Sequence, residues 1–103
     1  MKNEIIEKIV VNEKRELILK IMGNGRSIYQ YVYREAAGVY WDNNQKAFKS
    51  TSINEWTVSQ WFFHIKDILK LSLNVELTID KNVDWENISD EEKRKIKTHY
   101  NTG

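Results

Sequence analysis

The residues best suited to acid–base work near neutral pH are the two histidines, His64 and His99. Together they suit a two-histidine nuclease, one as acid and one as base, with a lysine holding the phosphate. They lie far apart in sequence, so that chemistry requires the fold to bring them together. His64 and Asp67 fall at i and i+3, where on a helix the carboxylate either orients the imidazole as a base or stands beside it as a surface neighbour. No set of His, Cys and carboxylate side chains has metal-ligand spacing. Cysteine is absent, which removes disulfides, thiolate metal sites and thiol nucleophiles. Gly23, Asn24 and Gly25 lack the spacing and the lysine of a phosphate-cradling loop and read as a turn. The expectation is a protein without catalytic residues, metal or cofactor, and not an enzyme.

Binding chemistry is better represented. Between Val75 and Glu92, seven acidic residues face the single Lys81, so this segment carries −6 of a chain whose net charge is +1. Such a run is either a solvated face or a patch that steers a basic partner. The candidate partner-binding residues are Glu76, Asp80, Asp84, Glu86, Asp90 and Glu91, with Trp85 and Trp41 as aromatic contacts. The other tryptophans are Trp56 and Trp61, and core packing accounts for Trp61. The basic run from Lys93 to Lys97 is short and opposed by its acidic neighbours, which argues against direct nucleic-acid binding.

These residues must be positioned by a chain of 103 residues, 41% apolar, enough for one core and one domain spanning 1–103. Ile5 to Val11 and Leu17 to Met22, separated by Asn12, Glu13, Lys14 and Arg15, predict a hairpin. The alternative for residues 3–22 is one long amphipathic helix. Asn24 and Gly25 then predict a second hairpin turn and a third strand from Ser27, with Tyr29, Tyr31 and Tyr33 on one face. Short strands follow at Gly38 to Trp41 and Lys46 to Ser50.

Thr57 and Gln60 form a capping box, and Val58, Trp61, Phe62, Ile65, Ile68 and Leu69 repeat at helical spacing to about Ser72. Val75, Leu77 and Ile79 alternate as a half-buried strand. Ser89 and Glu92 open a short C-terminal helix whose acidic first turn and later lysines suit the helix dipole. The class is α+β: an antiparallel sheet of four to six strands, one long helix and a short C-terminal helix. Met1 to Val11 does not read as a secretory signal, and no apolar run reaches the ~20 residues of a membrane span, so the cytoplasm is expected and a membrane partner is not.

Three segments resemble small bacterial immunity proteins of the polymorphic-toxin or contact-dependent-inhibition type. They are the strand-rich N-terminal part with its Asn24, Gly25 turn, the stretch Ser52, Ile53, Asn54, Glu55, Trp56, and the stretch Trp85 to Lys93. The helix from Val58 to Ser72 stands between them. The resemblance implies a cytoplasmic inhibitor that covers the basic surface of one cognate protein toxin, a nuclease, and acts as a monomer or weak homodimer. Two other readings stand beside it: the histidine-dependent nuclease or toxin, and a structural or regulatory module that self-associates through an edge strand.

Overall fold

The computed structural model describes the backbone of residues 2–102 and the side chains of residues 2–98. Strands β1 (Lys2–Val11) and β2 (Glu16–Ile21) form the expected hairpin, with Ile9 opposite Leu19 and Val11 opposite Leu17. Asn12 closes it, its side-chain oxygen accepting from the backbone N–H of Lys14 at 3.1 Å and of Glu16 at 2.8 Å. Ile6, Ile9, Leu17, Leu19 and Ile21 point into the core, which decides the hairpin over the helix.

Ser27–Arg34 is not the expected strand but a 3₁₀ helix. The tyrosines alternate, yet burial falls on Tyr29 and Val32, three residues apart, which is the repeat of a 3₁₀ turn. Tyr29 holds the helix to the sheet, its ring 5.2 Å from Trp41 and 5.1 Å from Phe48 and its hydroxyl donating to buried Glu4. Gly25 enters this helix at φ 79 instead of turning a hairpin, and a Cβ there would lie 2.4 Å from the Trp41 ring. Tyr31 and Tyr33 stay exposed, with the Arg34 guanidinium 4.5 Å from the centre of the Tyr31 ring.

Strands β3 (Val39–Asp42) and β4 (Ala47–Ser52) form the next hairpin, and β4 pairs antiparallel with β2. Helix α1 (Val58–Ile68), extended by a π turn at Leu69–Leu73, buries Phe62, Ile65 and Leu69 and leads to β5 (Val75–Glu86). β5 pairs with β1 in parallel, so the five-stranded sheet, in order β3-β4-β2-β1-β5, is mixed and not the antiparallel sheet expected. Alternation shows which face a strand buries but not its direction. The strand–helix–strand order from β4 to β5 carried that information, since a crossover helix returns the chain to run parallel to its starting strand. Between Ile79 and Asp84, β5 advances five residues while β1 advances two, so Asp80 to Val83 bulge from the ladder.

Helix α2 (Asp90–Thr102) packs Ile96 into the same core, and the helices share one face of the sheet. The class is α+β. On the other face Val10, Ile18 and Ala47 make a small buried cluster flanked by ion pairs, among them Lys20–Glu7 at 3.0 Å and Lys49–Asp42 at 3.9 Å. No helix among the described residues is long and apolar enough to cross a membrane.

Candidate functional site

β1, β4 and β5 run in the same direction, and their C-terminal ends at Val11, Ser52 and Glu86 meet at one end of the sheet. Ligand crevices in open α/β sheets lie beyond the carboxyl ends of the strands. Here that position holds a hollow of about 730 Å³ between the β1–β2 turn, the start of α1 and the start of α2. Its wall is cross-tied. Ile53 N–H donates to Arg15 O at 2.6 Å, Asn87 Nδ2 to Val11 O at 2.9 Å, and Ser52 Oγ to Lys14 O. Arg15 and Asn87 both adopt left-handed backbone, φ 61 and 59, a conformation that disfavours Arg, and both are exposed residues that line the hollow.

Trp56 is the organising residue of this region. It lines the large hollow and two adjoining ones, of about 380 and 410 Å³, so the three meet at this residue, which is 41% exposed. The sequence explains why that ring is fixed. Thr57 caps α1, accepting from Gln60 N–H at 3.3 Å while its own N–H donates to Gln60 Oε1 at 2.8 Å. Trp56 then precedes the cap and Trp61 is the fourth helical residue, the two positions joined in a hydrophobic staple. Their ring centres lie 4.8 Å apart, and His64 meets Trp56 edge-on at 5.0 Å. Thr57→Ala should cost about 1 kcal/mol by urea unfolding, through loss of the cap.

His64 therefore packs against tryptophan rings, and Asp67 shares the 410 Å³ hollow with it. His99 has its side chain outside the described residues. Among the described residues, no group of three or more His, Cys, Asp or Glu could hold a metal ion.

The acidic segment is spread over two surfaces. Glu76 pairs with Lys70 at 3.7 Å, and Lys8 lies 4.0 Å from Asp84 and 3.7 Å from Glu86, all three acids projecting to the sheet face away from the helices. Asp80 sits in the bulge. On α2, Asp90 meets Lys93 at 3.8 Å and Glu91 meets Lys95 at 3.6 Å. Trp85 is half-buried with Lys93 and Lys97 about its ring, and Trp41 packs 4.8 Å from Phe48. The residues that converge on the hollow are instead Arg15, Asn54, Glu55, Trp56, Asn87 and Glu92. Of these, Trp56 was legible from its place before the Thr57 cap. Arg15 was not, because nothing in a four-residue polar turn announces left-handed backbone.

The chain resembles a solved structure described as an integron cassette protein, Hfx_Cass5, from the mobile metagenome of the North West Arm sewage outfall. The two are 26% identical over 100% of this chain and 99% of that one, with a TM-score of 0.43. No curated protein matches. The family profile that matches is that of Integron Cassette Protein Hfx_Cass5, over residues 4–83. This overturns the resemblance to toxin-immunity proteins and the inhibitor function drawn from it. That resemblance rested on the strand-rich N-terminal part with its Asn24, Gly25 turn, a Trp after a polar run and the Ser89, Glu92 helix start, and the last two here do local structural work at the starts of α1 and α2. By a match over more than half its length, the chain belongs to the Integron Cassette Protein Hfx_Cass5 family.

Proposed function

We propose that this protein performs no reaction itself and acts by binding an extended segment of a partner protein along the groove that passes Trp56. The observation that carries the reading is the meeting of three hollows at one stapled, half-exposed tryptophan. Trp combines a large apolar contact area with a polar N–H and is enriched among residues that dominate binding energy. Holding its ring against Trp61 before binding reduces the ordering cost of association. Asn54, Asn87, Gln60 and Thr57 along the walls offer donors and acceptors suited to a peptide backbone. The absence of cysteine suits a reducing cytoplasm as the place of action.

Random-peptide display against the immobilised protein tests this. Peptides enriched on the native protein should lose about tenfold or more in affinity for Trp56→Ala. Failure to enrich any peptide, or equal affinity for the variant, would overturn the reading.

A further inference from the structure

The geometry points to a cationic side chain, Lys or Arg, as the group of the bound segment that anchors in the large hollow, held between Glu92 and the Trp56 ring; this rests on the groove reading above. Three observations converge. The ionic lining of the hollow is two carboxylates, Glu55 and Glu92, against the one guanidinium of Arg15, so it carries an excess of negative charge. Trp is the side chain whose ring best attracts a cation, and Trp56 stands 41% exposed in the same wall.

The third observation concerns Glu92 itself. Ser89 Oγ accepts from the Glu92 N–H at 3.2 Å, so the residue sits in the first turn of α2, where the backbone amides favour a negative group. Its side chain is only 14% exposed, and Oε2 is buried without accepting a hydrogen bond. Lys95 Nζ stands 3.8 Å away, within ion-pair range but beyond hydrogen-bonding distance, and is shared with Glu91 at 3.6 Å. A shielded carboxylate oxygen without a donor is costly, and buried acceptors are nearly always satisfied. A ligand ammonium or guanidinium entering the hollow meets the Glu92 carboxylate in a charge-assisted hydrogen bond while resting on Trp56. Arg15, exposed on the rim, is left to meet a backbone carbonyl or an acidic neighbour in the same segment.

The test is a titration of the ¹⁵N-labelled protein, followed at the Trp56 indole resonance, with four capped tripeptides. They carry Lys, Arg, norleucine or Glu between two glycines. The Lys or Arg peptide is expected to bind about tenfold more tightly than the norleucine peptide, whose side chain has similar length and no charge. In Glu92→Gln that advantage should fall severalfold while norleucine binding is unchanged. If norleucine or Glu peptides move the Trp56 signal as effectively as the cationic ones, the groove stands and the cationic anchor is wrong. If no peptide moves that signal, both fall. Should the cationic preference be undiminished in Glu92→Gln, the anchor has been placed on the wrong carboxylate.

Discussion

Phe48→Ala should remove about 3–5 kcal/mol of stability, the largest single loss expected for this chain. Phe48 is fully buried in β4, opposite Leu19 of β2 and Trp41 of β3, with its ring 5.1 Å from Tyr29 and 4.8 Å from Trp41. It is the ring on which the 3₁₀ helix and the edge hairpin both rest. Truncation leaves a cavity that strands on either side cannot close without breaking their pairing, so the transfer loss and the cavity term add. Against a typical total of about 5–15 kcal/mol, that is a fifth or more of the margin. Urea unfolding should show a large drop in midpoint with little change in slope. Phe48→Leu, which keeps most of the volume, should lose far less.

Tyr29→Phe should cost about 2–3 kcal/mol although it removes one oxygen atom, because it strips a buried carboxylate of a donor. Glu4 is 5% exposed and Tyr29 fully buried, and the phenol donates to Glu4 Oε2. Burial first, then the hydrogen bond and charge of Glu4, hold the Tyr29 hydroxyl well above the ordinary tyrosine range, with Arg26 pulling weakly the other way. The unfolded chain ionises this phenol near pH ~10, and the folded protein resists doing so. The stabilisation is therefore complete below pH ~10 and declines as pH rises through and beyond that value. Unfolding free energy measured from pH 8 to 11 should fall more steeply for the native protein than for Tyr29→Phe, the gap between the two curves narrowing above pH ~10.

The parts of the fold that could be read directly were those in which one local signal matched one structural demand. Asn12 to Arg15 between two apolar runs gave the hairpin, and Thr57 with Gln60 gave the start of α1. The 3₁₀ helix was hidden because Tyr29, Tyr31 and Tyr33 satisfy a two-residue repeat on paper. The core takes Tyr29 and Val32, and that choice depends on Glu4, Trp41 and Phe48, which are distant in sequence. The direction of β5 was hidden for a similar reason: Val75, Leu77 and Ile79 bury the same face whichever way the strand runs.

At the site, Trp56 and Trp61 flank the cap at staple positions, so their contact was open to prediction. The acidic run looked continuous in sequence, but the end of β5 divides it. Glu76, Asp84 and Glu86 go to one face of the sheet and the α2 acids go elsewhere. Glu92 looked like a capping partner for Ser89. Its N–H does bond Ser89 Oγ, yet the residue also lines the hollow and its Oε2 is buried without a donor, a consequence of packing that no spacing rule contains.

The claim on which the functional account depends is that binding occurs at the stapled tryptophan. The most direct measurement follows the indole N–H resonances while a display-selected peptide is added to the native protein. The account predicts saturable shifts at Trp56 and Trp61, with Trp41, enclosed by Tyr29 and Phe48, unmoved. Saturable binding that moves Trp41 or the exposed Tyr31 and Tyr33, and leaves Trp56 where it was, would contradict it.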